Sequence, residues 1–190
     1  MKKTLILGDC IQKMKELPEN SVDSVITDPP YGLGFMGHEW DTYDKNFYGF
    51  SLTWAKEAMR VLKPGGFLYL AEFHPLAQAV DEQETGANGS LAIHYPMIGK
   101  SAPRQWHTET DYADEETKLT HTGTWEWNHG VGELLSSLIG AGLRIDYFKE
   151  HPYLTWRAFA AMVEIDEYFF GLPDHLPAVP LAISLKAVKV

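Results

Sequence analysis

Val22-Asp23-Ser24-Val25-Ile26-Thr27-Asp28-Pro29-Pro30-Tyr31 is the stretch that decides how this chain folds. Val22–Thr27 is a β-rich run that reads as a buried strand. Two prolines then end any sheet pairing, because neither has a backbone N–H to donate. The result is a stiff corner at the carboxyl end of a strand, and in open α/β sheets that end is where ligands bind. The corner presents a carboxylate, a carbonyl and an aromatic ring together. Asp28 and a carbonyl can accept from an –NH2 group while Tyr31 stacks on the ring that carries it. A bare Pro-Pro does no more than end a strand. Asp before it and Tyr-Gly after it, directly behind a β-rich run, favour a site for a flat, amine-bearing ring.

Upstream, Thr4-Leu5-Ile6-Leu7 closed by Gly8-Asp9 suggests a first buried strand. Ile11, Met14 and Leu17 recur at helical spacing, and Pro18 stops that helix. Strand, helix and strand of this length predict a parallel βαβ unit with a right-handed crossover. Asp9 and Asp28 then share one sheet edge, where they can bind ribose hydroxyls, an amine or a metal. The metal ranks last, since no third oxygen-rich cluster is nearby.

Downstream, residues 32–48 form a Gly- and aromatic-rich loop. Its Gly32, Gly34 and Gly37 spell G-x-G-x-x-G, but Pro29-Pro30 intervenes and no helix opens behind it, so the match to a dinucleotide fingerprint is chance. A loop over the site is the better reading. Residues 50–62 read as a helix with Leu52, Ala55, Met59 and Leu62 on one face, ended by Lys63-Pro64-Gly65-Gly66. Phe67–Ala71 is the next strand and delivers Glu72-Phe73-His74-Pro75 to the same edge, with a helical turn through Leu76 and Val80 after it. Residues 81–128 are acidic, polar and rich in Gly and Thr. They read as a lid insertion with a small hairpin of Leu91–Tyr95 and Thr120–Trp127. Asn128 is the expected N-cap of a helix over His129–Ala141, with Val131, Leu134, Leu135 and Leu138 inward and Gly142 as its stop. Leu143–Lys149 and Leu181–Val188 are the closing strands, an antiparallel hairpin on a parallel sheet.

Bulk properties narrow the function. A chain of 190 residues with 45% apolar and 22% charged side chains fits one domain with a full core. The net charge of -10 argues against tight unaided DNA binding, which relies on Lys and Arg at phosphates. Of 26 acidic residues only nine precede Pro64, against eight of 16 basic ones, so the deficit lies after it. Cys10 is the single cysteine, which permits no internal disulfide and fits a reducing cytoplasm. Met1-Lys2-Lys3 is no signal-peptide start, because Gly8-Asp9 ends the apolar run too soon. No stretch is long enough to span a membrane. The eight histidines match neither H-x3-H nor H-E-x-x-H spacing, so no metal is expected. Trp125, Trp127 and Trp156 can stack a planar substrate, although for any single one core or lid packing is the simpler account.

Residues 5–70 resemble the amino-methylating DNA methyltransferases that use S-adenosylmethionine. The resemblance rests on Gly8-Asp9-Cys10, Leu17-Pro18-Glu19-Asn20-Ser21-Val22-Asp23, Thr27-Asp28-Pro29-Pro30-Tyr31-Gly32, Phe35-Met36-Gly37 with Trp40-Asp41, and Trp54 through Gly66. In that family the Asp-Pro-Pro-Tyr corner grips the exocyclic amine of a flipped adenine or cytosine. Residues 66–190 resemble the C-terminal half of small-molecule class I methyltransferases, through Glu72–Pro75, Glu126–Gly130, Ala141–Leu143, Glu150–Arg157 and Leu181–Leu185.

The resemblance implies catalytic roles for Asp28, Pro29 and Tyr31. It puts Gly8, Asp9, Cys10, Asp28 and Glu72 on the S-adenosylmethionine side, and His74, Trp127, Asn128 and His129 on the substrate side. It also implies an α/β fold: a truncated Rossmann-like methyltransferase sheet of about five strands, mostly parallel with an antiparallel C-terminal strand and flanked by helices. Residues 1–190 then form a single methyltransferase-like domain, a hybrid of a DNA-methylase-like half (1–66) and a small-molecule-methylase-like half (67–190). The family's Gly-rich cofactor turn, in its Asp-Pro-Phe or Gly-Ser-Gly form, does not occur here. The expected reaction is methyl transfer to an amine nitrogen of a nucleobase or small molecule, with DNA less favoured as substrate and no membrane partner. A homo-oligomer would cover the open sheet edge. The alternative is a truncated or recombined fold that binds a nucleoside or a partner chain without methyl transfer.

Overall fold

The computed structural model describes residues 3–27, 29, 47–81, 85, 90–98, 103–107, 109, 118 and 122–190. Its elements in chain order are α1 (Cys10–Glu16), β1 (Val22–Ser24), α2 (Phe47–Val61), β2 (Leu62–Phe73), α3 (Pro75–Ala79), β3 (Arg104–His107), β4 (Gly123–Glu126), α4 (Val131–Gly140), β5 (Leu143–His151), β6 (Tyr153–Leu154), β7 (Val163–Glu164), β8 (Phe170–Gly171) and β9 (Ala182–Lys189). The main sheet runs β1-β2-β9-β5, beside a β3-β4 pair and a small β6-β8-β7 sheet. The expected α/β class is therefore met. The chain divides into two compact units: Met1–Phe67 with Gln105–Trp125 and Lys189–Val190, and Leu68–Arg104 with Glu126–Val188.

In the first unit, α1 opens where Asp9 accepts a hydrogen bond from the Gln12 N–H at 2.9 Å, an N-cap that satisfies one of the free donors of the first turn. Arg60 near the end of α2 holds the other end of α1. Its guanidinium donates to Met14 O at 2.7 Å and Leu17 O at 3.1 Å while Nε pairs with Glu57. Lys189 closes α2, donating to Met59 O, Leu62 O and the Asn20 side chain, as a cation at a helix carboxyl end should.

Here three expectations are corrected. Thr4–Leu7 is in no strand, and Leu5 and Leu7 are 98% and 95% exposed. Four apolar residues without a ladder partner do not make a strand, and Gly8-Asp9 serves as the entry to α1 instead. The parallel crossover is consequently β1-α2-β2, with the two strands paired in parallel, and among the described residues the main sheet has four strands. The Val22–Thr27 strand is shorter than expected, ending at Ser24, and Ile26 is 96% exposed. Finally, Lys63–Gly66 is no break between helix and strand. Val22 pairs with Leu62 and Ser24 with Phe67, so the extra residues of β2 form a bulge. Glycine is required there: Gly65 has φ +81°, and a Cβ on Gly66 would meet Leu62 Cδ1 at 2.6 Å.

In the second unit, β9 supplies much of the core. Ile183, Leu185, Ala187 and Val188 are all buried, and so is Leu181 just before it. A second cluster gathers Ala77, Val80, Leu154, Phe159, Met162 and Leu181. Much of it comes from residues 152–180, which carry no long apolar period and in which β6, β7 and β8 are only two residues each. Helix α4 turns Val131, Leu134, Leu135 and Leu138 inward as expected.

Its N-cap, however, is Gly130 and not Asn128. The Asn128 amide is committed elsewhere, donating to Pro75 O at 2.7 Å and Pro96 O at 3.1 Å. A Cβ at Gly130 would stand 2.8 Å from Ile98 Cγ2, which keeps that position glycine. The expected hairpin is also re-paired. Ile93 bridges Val80, and the partner of β4 is β3.

Gly142 tests the backbone logic cleanly. It has φ +83° with no atom within 4 Å of a notional Cβ, so alanine there adds strain and no clash. Gly142→Ala should cost about 1–2 kcal/mol in urea unfolding, the price of left-handed backbone for an L-residue. Gly132→Ala, inside α4 with equal space, should leave stability level or raise it by up to ~1 kcal/mol. Equal effects from the two would contradict the assignment.

Candidate functional site

The Asp28–Tyr31 corner follows β1. Pro29 is half-buried; Asp28, Pro30 and Tyr31 lie outside the described residues, as does the loop from Gly32 to Asn46. The end of that expected loop, Phe47-Tyr48, begins α2.

Gly8, Asp9 and Cys10 fall together in the first unit. Gly8 takes φ +145°, which favours glycine, and Cys10 is the exposed first residue of α1. Asp9, besides capping α1, lines a hollow of about 360 Å³ with Ile11, Gln12, Lys15, Gly49, Phe50 and Thr53. Glu72, expected beside them, belongs to the second unit.

The second unit gathers part of the expected substrate side around α3. His74 is buried and is the N-cap of that helix: its Nδ1 accepts from the Leu76 N–H at 3.0 Å. Nδ1 is thus an acceptor, so Nε2 carries the proton of the neutral ring. Nε2 lies 3.2 Å from Glu150 Oε1, an electrostatic contact that lacks the alignment of a hydrogen bond. Burial lowers the His74 pKa, and the charge and hydrogen-bonding capacity of Glu150 act against that shift. Asn128 is brought to the same place through its bond to Pro75 O. Trp127 and His129 are exposed; the latter pairs with Glu133 at 3.1 Å beside the start of α4. His74 and Asn128 are thus brought together, His74 holding backbone through Nδ1 and Asn128 through Nδ2, while His74 Nε2 and Asn128 Oδ1 are buried without a hydrogen-bond partner.

One concavity of this unit was not assembled by sequence reasoning. A cavity of about 400 Å³ is lined by Tyr69, Ala71, Glu72 and Phe73 of β2, Ala182, Ile183 and Ser184 of β9, and the 151–156 segment with Phe169. Phe73 meets Trp156 edge to face at 4.7 Å, and Tyr153 lies 4.4 Å from Phe169 between ring centres. A hydrogen-bonded rail supports the wall. Tyr147 Oη lies 3.0 Å from Ser184 Oγ, which is 2.7 Å from His151 Nε2, and His151 Nδ1 is 3.0 Å from Tyr153 Oη. Burial pushes the His151 pKa down and the nearby Lys149 charge pushes it the same way, so the ring is neutral at pH 7. One signal was available in the sequence: Ser184 is a polar residue inside the most apolar strand of the chain, and a buried hydroxyl must have partners.

With this geometry in view, the chain was compared with known proteins. Residues 22–75, from β1 through β2 to the first residue of α3, match the DNA methylase family. The chain is similar to the Type II methyltransferase M.HpaI of Haemophilus parainfluenzae, 43% identical over 112 residues, covering 53% of this chain and 35% of that one. It is similar to the Type II methyltransferase M.BamHI of Bacillus amyloliquefaciens, 38% identical over 66 residues, covering 33% and 16%. The chain therefore spans about a third or less of the length of these curated relatives. Among solved structures, an S-adenosylmethionine dependent methyltransferase from Mesorhizobium loti aligns with TM-score 0.47 and 17% identity over 91% of this chain and 64% of that one. These sequence likenesses, each over part of this chain, are to methyltransferases. Over residues 22–75 the likeness is to the amino-methylating DNA methylases, as the Asp-Pro-Pro-Tyr motif led us to expect.

The two lowered histidine pKa values fix a sign for pH dependence. Between the folded and unfolded values the unfolded chain binds more protons, so unfolding is favoured as pH falls. Stability from these groups should be complete above pH ~6.5, the unfolded histidine pKa, and decline as pH drops through the lower folded values. Urea unfolding at several pH values between 5 and 8 should show that slope. His74→Asn, which keeps a capping side chain, should flatten it; an unchanged slope would remove His74 from the account.

Proposed function

We propose that this chain is an S-adenosylmethionine-dependent methyltransferase that methylates an amine nitrogen of a nucleobase or small molecule. The observation that carries the reading is the match of residues 22–75, which includes Asp28-Pro29-Pro30-Tyr31 a few residues after β1, the strand paired in parallel with β2. In this reading Asp28 and the Pro29 carbonyl accept hydrogen bonds from the amino group. That fixes the nitrogen and turns its lone pair out of conjugation with the ring. Tyr31 stacks on the ring face and holds its plane. Such positioning is worth several kcal/mol of barrier, since it prepays the entropy of alignment.

S-adenosylmethionine, when bound, supplies a methyl group on a sulfonium centre. The hollow beside Asp9 suits its nucleoside part in chemistry: Asp9, Gln12, Lys15 and Thr53 offer acceptors and donors for ribose hydroxyls and ring nitrogens. The Gly-rich turn that holds the methionine part in relatives has no counterpart in this sequence. A small amine or free base is favoured over DNA by the net charge of -10. The reading also takes the chain as a hybrid of two methyltransferase halves, acting in the cytoplasm, with a homo-oligomer covering the β1 edge of the sheet.

Calorimetric titration with S-adenosylmethionine and S-adenosylhomocysteine should detect binding. None at millimolar ligand would overturn the reading, and binding with no methyl transfer to DNA, nucleosides or small amines would turn it into a binding module. Asp28→Ala should reduce methyl transfer at least ~100-fold, the scale of a lost positioning contact, with the unfolding curve unchanged. Unaltered turnover would refute the role of Asp28.

A further inference from the structure

We propose that the second unit carries a binding site of its own for an uncharged, planar heteroaromatic amine of nucleobase size, seated in the cavity against the rings of Phe73, Trp156, Tyr153 and Phe169, with Glu72 accepting from its amino group. Binding there does not require methyl transfer.

Three observations carry it. The first is size. A cavity of about 400 Å³ lies in the range of small-ligand pockets, and its lining is chiefly aromatic and apolar with a few polar groups, the usual make-up of such sites. The second is the rings. Of the five Phe, Tyr and Trp side chains in its lining, four form two contacting pairs, and Trp156 is 49% exposed although it packs against Phe73. A tryptophan left half in water at the rim of an aromatic-lined cavity offers a stacking surface that the fold does not use. Flat rings match four aromatic walls better than an aliphatic chain does.

The third observation is polarity. Among the described lining residues Glu72 is the one carboxylate, and burial and the Lys149 charge both lower the His151 pKa, which disfavours a positive charge beside it. The Glu72 carboxylate is fixed in place, its Oε1 accepting from the Phe73 N–H at 2.7 Å. A carboxylate is an acceptor only, so it selects a ligand that donates, and it repels phosphate. The Ser184–His151–Tyr153 rail adds a hydroxyl, Tyr153 Oη, which can donate to or accept from a ring nitrogen while its other bond is made to His151. Glu72 therefore reads as a ligand group of this cavity and not as a cofactor contact.

The test is an amide NMR titration of the whole chain with three probes: adenine, purine lacking the amino group, and adenosine monophosphate. Adenine should shift the amides of Ala71–Phe73, Tyr153–Trp156 and Ala182–Ser184 with submillimolar affinity. Purine should bind at least ~5-fold more weakly, the scale of one lost charge-assisted hydrogen bond, and the monophosphate more weakly still. Trp156→Ala should weaken adenine about 10-fold, in keeping with one lost stacking contact. Glu72→Gln, an isosteric change that keeps the fold, should erase the discrimination against the monophosphate. Asp28→Ala should leave these shifts intact. No shifts in the cavity at 5 mM adenine would overturn the proposal, as would equal affinity for adenine and purine. Shifts confined to the neighbourhood of Thr27 and Pro29 would overturn it too, while supporting the Asp28 reading.

Discussion

Leu181 is where the second unit is tied together. Its side chain is fully buried, and its backbone reaches both ways: its N–H donates to His151 O at 2.7 Å, and its carbonyl accepts from the His74 N–H at 2.9 Å. One residue thus fixes the carboxyl ends of β2 and β5 at the point where β9 enters between them. These bonds lie in an apolar cluster, where an unmade backbone bond costs more than a made one gains. The position of His74 at the head of α3, and of His151 in the cavity wall, follows from that anchoring.

The two histidines show how burial decides what a polar side chain can do. His74 was expected on the substrate side, whereas His151 was not singled out in the sequence. In the fold each has become a neutral ring with its nitrogens assigned: His74 accepts from the Leu76 N–H, and His151 bridges Ser184 and Tyr153. The same desolvation that lowers their pKa values makes them dependable neutral partners near pH 7. Carboxylates stand near both, Glu150 beside His74 and Glu72 in the cavity, with the Lys149 charge acting on His151.

Elements with a strong internal signal were legible. The α4 face of Val131, Leu134, Leu135 and Leu138, its stop at Gly142, and the strands β5 and β9 fall within a few residues of their expected bounds. Signals that depend on a partner were not. Thr4–Leu7 has strand composition but no ladder to join, and Asn128 has the right residue type for a cap but finds Pro75 and Pro96 first. The core contribution of Leu154, Phe159 and Met162 was invisible because two-residue strands carry no period. Of the site, the Asp28–Tyr31 motif was readable because its chemistry lies in consecutive residues, whereas the cavity draws on β2, β5, β9 and the segment between them.

What the sequence determined by itself, then, is everything local: the kinship signalled by Asp28-Pro29-Pro30-Tyr31, the amphipathic helices, the apolar closing strand and the absence of any cysteine pair. What only the tertiary structure decided is which residues share a place. Ser184 and His151 are 33 positions apart and stand at 2.7 Å, and Trp156 meets Phe73 across more than eighty. Local preferences fix the conformation of a few residues at a time. The cavity exists only because sheet pairing of β2, β9 and β5 brings distant segments into register, and that choice is made by the burial of the whole strand set at once.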